Sequence, residues 1–164
     1  MASSECLEKQ PRVAVVGIGN LLLRDEGIGV HVAQRLQEVG GGDVEDRANL
    51  QVVDGGTCPD ILLTLGQLDK LIVVDAAEGG GEPGAVYRLS IEDLQLDTRE
   101  SNSLHDVDFL DSLRVMETLG IGPKDVVVFG IQAKEIDWGL EPSVELTEKI
   151  PEIVGLVLEE TRKC

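Results

Sequence analysis

The chain has 164 residues and a formal net charge of −17, with 31 acidic side chains against 14 lysines and arginines. This excess of negative charge repels a phosphate backbone, and only four aromatic residues are present to stack bases, so nucleic acid is not expected as a partner. Hydrophobic residues make up 42% of the chain, but no apolar run approaches the ~20 residues that a membrane span needs.

The first half of the chain alternates between two kinds of apolar pattern. Short β-branched runs bounded by glycine predict buried parallel strands at residues 12–19, 50–56 and 70–80. Between them, apolar residues recur at helical spacing in 28–39 and again in 61–68. The pattern therefore predicts a β-α-β-α-β arrangement.

The middle of the chain predicts a further strand and a helix. Residues 84–94 fit a strand that runs into a short turn, in which Ser90 and Asp93 are spaced as a capping pair. The cap-type residues 101–103 then begin an apolar-periodic segment that ends at Gly120, as expected for a helix with a glycine at its C-terminus.

The last elements complete an α/β domain. Residues 125–132 repeat the buried-strand pattern, and 142–160 predict an amphipathic helix that is kinked or interrupted at Pro151. We expect a single three-layer α/β/α domain over 1–164, with a mainly parallel twisted sheet and residues 1–11 as a flexible N-terminal tail.

Cysteine usage and the first residues indicate a reducing compartment. Cys6, Cys58 and Cys164 form no CxxC pair, which predicts unpaired thiols. The start of the chain lacks the apolar core of a secretory signal, so a cytoplasmic location is expected. An acidic surface with few aromatic residues gives no sign of a large obligate interface, which favours a monomer.

The segment GIGNLLLRDEG, residues 17–27, follows the first predicted strand and begins like a phosphate-binding turn. Gly17 and Gly19 fit the G-x-G start of a dinucleotide site, but Leu22 stands where the third glycine is needed. The next candidate for the ribose acid, Asp54, is 35 residues beyond Gly19 instead of about 20. No G-K-[ST] follows either, so a nucleotide-binding α/β domain is kept only as a rival interpretation.

An acidic residue follows each of the first three strands: Asp25 and Glu26 the first, Asp54 the second and Asp75 the third. Ligands collect at the carboxyl ends of parallel strands, so these carboxylates are expected to converge in one crevice. Two of them have a structural alternative, since Asp25 also fits a helix N-cap and Asp54, in DGGT, also fits an Asx-turn. Buried carboxylates need a cation nearby, because leaving them uncompensated is costly.

His105 falls in the first turn of the third predicted helix, where it either faces solvent or binds a ligand. A helix N-terminus favours the neutral imidazole, which is the form that a metal binds. Two carboxylates and an imidazole suit a divalent transition ion, with nickel or zinc bound more tightly than manganese. His31, five residues beyond Glu26, is interpreted as structural.

Several motifs in order resemble one protein family. The stretches VVGIGNLLLRDEGIGVHV, VVDGGT, LIVVDA, a Ser-x-His after residue 100 and GIQAKEIDWGLEPSVE together resemble the hydrogenase maturation endopeptidases. These proteases remove a C-terminal extension from the large-subunit precursor of nickel-iron hydrogenases. The similarity runs over roughly residues 12–160. It departs from many members after the histidine, where HDVDFL adds Asp106 and Asp108 beside the expected site.

The resemblance implies a metal site and a substrate. Glu26, Asp75 and His105 match the family's metal ligands, and nickel already installed in the precursor is implied to be the recognition signal, although another divalent ion can substitute. The implied partner is a hydrogenase large-subunit precursor. Four further residues are assigned to the substrate cleft: Asn20, Asp25, Asp54 and Thr57.

The catalytic residues are not identified by the sequence. Nickel could polarise the scissile carbonyl or acidify water, or it could only fix the substrate while a carboxylate such as Asp54 or Asp25 serves as general base. A non-enzymatic nickel-dependent chaperone or binding module for the same precursor would use the same three ligands, and it is the alternative function.

Overall fold

The structure is a computed structural model that describes residues 9–40, 49–97 and 104–163, and of these it describes only the backbone for 95–97 and 104–107. Its strands are β1 (Val13–Ile18), β2 (Leu50–Gly56), β3 (Lys70–Ala77), β4 (Val86–Ser90) and β5 (Asp125–Gln132). Its α-helices are α1 (Ile28–Gly40), α2 (Ile91–Asp97), α3 (Leu104–Thr118) and α4 (Val144–Glu160). Two short 3₁₀ helices lie at Arg24–Gly27 and Pro59–Thr64.

The five strands form one sheet in the order β2-β1-β3-β5-β4. Strands β2, β1, β3 and β5 are parallel to one another, and the edge strand β4 runs antiparallel to β5. Side chains of alternate strand residues point to opposite faces, so Ile72 and Val74 pack with α1 and α4, whereas Leu71 and Val73 pack with α3. The predicted three-layer α/β/α domain with a mainly parallel sheet is confirmed.

The connection between β2 and β3 differs from the prediction. The helical spacing over 61–68 predicted an α-helix, which is wrong: the segment contains the 3₁₀ helix Pro59–Thr64. Gly66, two residues after this helix ends, takes a positive φ of 71° that does not continue it. The apolar side chains of Leu62 and Leu68 are still buried in the core, so the spacing identified burial but not helix type.

Later elements follow the sequence pattern closely. The predicted capping pair is confirmed, since Asp93 accepts the Ser90 N–H at 2.8 Å and its own N–H reaches the Ser90 hydroxyl at 3.3 Å. This box begins α2, a longer element than the turn we expected. Gly120, with φ of 72°, follows α3 as predicted. Helix α4 runs through Pro151 without an interruption, so of the two predicted alternatives only the kink stays a prediction. No described helix combines the length and apolar character needed to cross a membrane.

A buried ionic cluster joins the end of α4 to the amino edge of the sheet. Lys70, 3% exposed, donates to Glu160, 1% exposed, at 2.7 Å. Arg88 donates to both Glu160 oxygens, and Asp125 lies 3.1 Å from the Lys70 ammonium. Hydrogen bonds from Arg88 and Lys70 lower the pKa of Glu160 to about 2, although burial opposes the shift. Lys70 and Glu160 are buried, whereas Arg88 and Asp125 are more than half exposed. The pairing of the two buried charges offsets the cost of removing them from water.

The Glu160→Gln variant tests this cluster. It removes the buried carboxylate beside Lys70 and leaves that of the exposed Asp125, so the free energy of unfolding should fall by about 3 kcal/mol near pH 7. A carboxyl group whose pKa is lower in the folded state stabilises the fold above its unfolded pKa, and this contribution is lost as pH falls from about 4.5 toward 2. The difference from the parent protein should therefore narrow in acid, as urea denaturation at several pH values will measure.

The matched control for this variant is Glu159→Gln, because Glu159 is exposed and only pairs loosely with Lys163 at 3.7 Å. Its stability should stay within about 0.5 kcal/mol of the parent. Equal losses in the two variants would contradict the role given to the buried cluster.

Candidate functional site

The carboxyl ends of β2, β1, β3 and β5 lie at one edge of the sheet. In the strand register Gly17 is paired with Asp54 on one side and with Val74 on the other. Asp75 is the next residue after Val74, so Asp54 and Asp75 lie on either side of β1. The 3₁₀ helix Arg24–Gly27, which carries Glu26, contacts β3 at this edge.

Two glycines let α1 begin directly on the sheet. A Cβ on Gly29 would lie 2.1 Å from the Val74 carbonyl oxygen and 2.3 Å from that of Ile18. A Cβ on Gly17 would lie 2.0 Å from the Gly29 carbonyl oxygen. No side chain fits at either position, so the helix start is held against β1 and β3. Glu26, three residues before Gly29, is thereby kept near the end of the strand that carries Asp75.

The packing that a dinucleotide site assigns to its third glycine is made here by a different residue. Leu22 occupies the expected position and is 52% exposed, whereas Gly29 makes the close helix–strand contact. Gly19 allows a second close contact, between the end of β1 and the turn of Glu26. Its φ is 152°, and a Cβ there would lie 2.1 Å from the Glu26 carbonyl oxygen. The glycines of this segment therefore position the acidic turn.

Gly29→Ala should lower the free energy of unfolding by at least about 3 kcal/mol, because a new methyl group would overlap two backbone oxygens. Gly155→Ala is the control, since Gly155 lies within α4 with open space around its Cβ position. That variant should be more stable than the parent by about 0.5–1 kcal/mol. Urea denaturation measures both, and equal stability of the two variants would contradict the packing argument.

Asp25 is completely buried and accepts four hydrogen bonds. Its carboxylate receives the backbone N–H groups of Lys134 and Glu135, each at 2.8 Å, and that of Ser143 at 2.6 Å. The Ser143 hydroxyl adds a fourth bond at 3.0 Å. Ser143 is the N-cap residue of α4, so Asp25 lies at a helix N-terminus, but not that of the helix which follows it in sequence. We infer a structural role for Asp25 rather than direct contact with a substrate.

Replacing Asp25 with asparagine puts an amide donor where an oxygen accepts N–H groups. Hydrogen bonds to a charged group contribute roughly 1.5–3 kcal/mol each, so the free energy of unfolding should fall by about 3 kcal/mol or more. Asp137→Asn is the control, because Asp137 is exposed and its only described bond is to the Trp138 N–H. Thermal unfolding should separate the two variants clearly, and similar melting temperatures would refute the structural role.

The other predicted cleft residues are more accessible. Asp54 is exposed, and the predicted Asx-turn is present, since its Oδ1 accepts the Gly56 N–H at 3.0 Å. Its Oδ2 accepts from Gln34 at 3.2 Å. Asn20 is half-exposed and accepts the Leu22 N–H at 2.9 Å, and Thr57 is exposed. Their contact with a substrate stays a prediction.

Asp75 and His105 come to the same edge and the same side of the sheet. Asp75 continues the alternation of Leu71 and Val73, which places it on the face covered by α3. Helix α3 ends at Thr118, and a short connection leads from there to the start of β5 at the amino edge. Its 15 residues span about 22 Å, so its first turn lies toward the carboxyl edge. His105 is the second residue of that turn.

The metal-ligand set as a whole stays a prediction. Glu26 and Asp75 are both half-buried, and Asp75 accepts the Ala76 N–H at 2.8 Å. The side chain of His105 lies outside the part that the structure describes. Within the described residues, no group of three histidine, cysteine, aspartate or glutamate side chains is arranged to hold a metal.

The structure describes some of the other histidine, aspartate and cysteine residues considered in the sequence, but not all of them. His31 is half-buried on α1, and burial lowers its pKa. Its Nε2 has no hydrogen-bond partner among the described residues. Asp108 is exposed on α3, and the side chain of Asp106 is not described. Cys58 is a free thiol as expected, and it is exposed, not packed; Cys6 and Cys164 fall outside the described ranges.

One polar network at this edge was not predicted from the sequence. The buried Gln132 accepts the Gly79 N–H at 2.8 Å and the Tyr87 hydroxyl at 3.1 Å, while its amide donates to Glu78 at 3.0 Å. Tyr87 in turn accepts the Gly81 N–H. The network holds the glycine-rich connection after β3 beside the site. The available signal was a glutamine at the end of a buried apolar strand.

Comparison with known proteins identifies relatives along most of the chain. Residues 30–160 match the HycI family model, described as hydrogenase maturation protease. The hydrogenase expression/formation protein HupD of Thiocapsa roseopersicina is 31% identical over 156 residues, which are 93% of this chain and 69% of HupD. A putative hydrogenase maturation protease of Methanocaldococcus jannaschii is 31% identical over 94% of this chain and 99% of its own length.

Solved structures agree with this comparison. The hydrogenase maturating endopeptidase HybD from Escherichia coli superposes with a TM-score of 0.79 at 24% identity, covering 93% of both chains, which supports the fold. The hydrogenase 2 maturation peptidase from a Thaumarchaeota archaeon gives a TM-score of 0.66 at 28% identity, over 92% of this chain and 97% of its own.

Proposed function

Because the chain belongs to the hydrogenase maturation protease family, we propose that it removes the C-terminal extension of a nickel-loaded hydrogenase large-subunit precursor. As a member of this family it is a peptidase that acts in hydrogenase maturation. The nickel in the precursor is part of the substrate in this proposal, and it serves as the recognition signal.

The observation that carries the proposal is the contact of Gly29 with Val74. It sets the turn of Glu26 beside the strand end of Asp75, at the edge toward which the first turn of α3 points. The residue types support it too, since two carboxylates and an imidazole are donors that a divalent nickel ion accepts. We assign Glu26, Asp75 and His105 as the residues that hold the substrate's nickel.

Hydrolysis also requires a group that takes a proton from water. Of the two carboxylates considered for this role, Asp25 is fully buried, whereas Asp54 is exposed and, among the described residues, bonded only to the Gly56 N–H and the Gln34 amide. A general base must come within hydrogen-bond reach of the attacking water, and an exposed oxygen at the same edge can do so. We therefore assign the base to Asp54 and the support of the neighbouring loop to Asp25.

The test incubates the purified protein with a large-subunit precursor, either nickel-loaded or nickel-free, and reads the precursor's mass. A defined loss from its C-terminus is expected only with nickel. Glu26→Gln, Asp75→Asn and His105→Ala should each slow cleavage by at least ~100-fold, since loss of even an outer partner of a metal ligand costs 10–100-fold. Asp111→Asn, which changes an exposed acid further along α3, should cleave normally.

Each part of the proposal has its own contrary result. Cleavage of the nickel-free precursor at the same rate would remove nickel as the signal. Normal cleavage by any of the three ligand variants would remove that residue from the set. A stable complex with no mass loss, for two different precursor classes, would favour a nickel-dependent chaperone instead.

A further inference from the structure

The exposed large apolar side chains of the described residues are not evenly distributed. Nine such side chains are exposed, and four of them belong to the two loops that meet beside the Glu26 turn: Leu22, Ile136, Trp138 and Leu140. A fifth, Val144, is the first residue of α4. Trp138, the only tryptophan of the chain, is 75% exposed, and Leu140 is 67% exposed. We call the set Leu22, Ile136, Trp138 and Leu140 the apolar rim.

Backbone hydrogen bonds join the two loops into one unit. The Gly139 N–H donates to the Leu22 carbonyl at 2.9 Å, and the Arg24 N–H donates to the Gly139 carbonyl at 3.0 Å. The Asp25 N–H donates to the Glu135 carbonyl at 3.1 Å, while the Asp25 carboxylate binds the same loop from within. The apolar rim is therefore fixed directly to the turn that carries Glu26.

No helix, strand or loop among the described residues covers the apolar rim. Large apolar side chains exposed together beside a site mark a surface that another molecule covers. Because hydrogen bonds already hold the backbone of the rim, binding of a partner there costs little conformational entropy for ordering the loops.

The charges around the rim define the chemistry of that partner. The nearby cations are already paired, Arg24 with Glu135 at 3.1 Å and Lys134 with Glu145. Asp137 and Glu141, both exposed on the rim loop, have no ion-pair partner among the described residues. The surface is therefore apolar at its centre and negative at its border.

We infer that the apolar rim is the docking surface for an apolar segment of the precursor that is flanked by lysine or arginine side chains. This inference rests on the proposed function, since it takes the precursor as substrate. A second copy of the chain is a poor occupant, because it would bring Asp137 and Glu141 against the same acids and would join two chains of net charge −17. Docking at the rim positions the precursor beside Glu26 and so acts mainly on KM.

The kinetic experiment compares two variants in cleavage of the nickel-loaded precursor. Leu22→Ser combined with Leu140→Ser should raise KM at least tenfold, because it removes apolar contacts with the docked precursor. The variant should change kcat less than twofold, because both side chains are exposed to solvent in the free protein and their loss leaves the fold intact. Leu119→Ser is the control, since Leu119 is 63% exposed but follows α3 at the far end of the sheet. Raising the salt concentration from about 0.1 M to about 1 M should increase KM for the parent protein, because screening weakens the attraction of the acids.

The binding experiment does not depend on cleavage. The protein is labelled with 5-fluorotryptophan, which places one fluorine signal at Trp138, and unlabelled precursor is added. A shift of that signal at the concentration where the complex forms supports docking at the rim. No shift while a complex forms overturns the inference, as does an unchanged KM in the double variant or an equal change in Leu119→Ser.

The two proposals can fail separately. If the parent protein leaves the precursor uncut but the fluorine signal shifts, the proposed function is wrong and the docking surface stands. If the precursor is cut and the signal stays unchanged, the docking surface is wrong and the function stands. A signal that moves with protein concentration alone, together with faster sedimentation, identifies a second copy as the occupant and overturns the inference.

Discussion

A carboxylate without water must find donors inside the protein, and the donors that Asp25 finds come from a part of the chain more than a hundred residues away. Its two oxygens bind the loop that follows β5 and the N-cap residue of the last helix. The same helix ends at Glu160, which is bound by Lys70 and Arg88. Helix α4 is thus fixed at both ends by buried acids.

These two attachments also suit the dipole of the helix. A negative carboxylate lies at the positive N-terminus of α4, and at the negative C-terminus the acidic Glu160 is accompanied by the cations of Lys70 and Arg88. With α4 held in this way, the loop before it has a defined place beside the Glu26 turn. The geometry of the candidate site therefore depends on contacts that are distant in sequence and are themselves not catalytic.

Sequence patterns predicted a structural feature correctly where that feature is determined by residues close to one another in the chain. Buried strands such as 70–77, the Ser90–Asp93 box and the stop at Gly120 follow from neighbouring residues, so they were predicted correctly. The Asx-turn of Asp54 is also local, because its acceptor and donor are two residues apart. The placement of Asp54 and Asp75 at one edge of the sheet followed from strand direction alone, whereas the convergence of all four acids in one crevice stays a prediction.

The features that the sequence did not reveal depend on long-range contacts or on the type of helix that forms. The bonds from Asp25 to Lys134 and Ser143 have no local signature, so its burial could not be anticipated. The segment after β2 keeps a helical apolar spacing but contains a 3₁₀ helix, because the spacing reports which side chains are buried and not the type of helix. Gly29 makes the contact expected of a third glycine at residue 22, a displacement visible only once α1 is placed on β3.

The ionic cluster of Lys70 and Glu160 lies at the amino edge of the sheet, while every candidate site residue lies at the opposite edge. Contributions from positions this far apart usually add independently. Substitutions that strengthen or relax the cluster can therefore adapt the protein to hotter or more acidic surroundings without altering how it recognises its substrate. The two ends of one sheet can in this way diverge at different rates during evolution, one following the environment of the host and the other following the sequence of the partner.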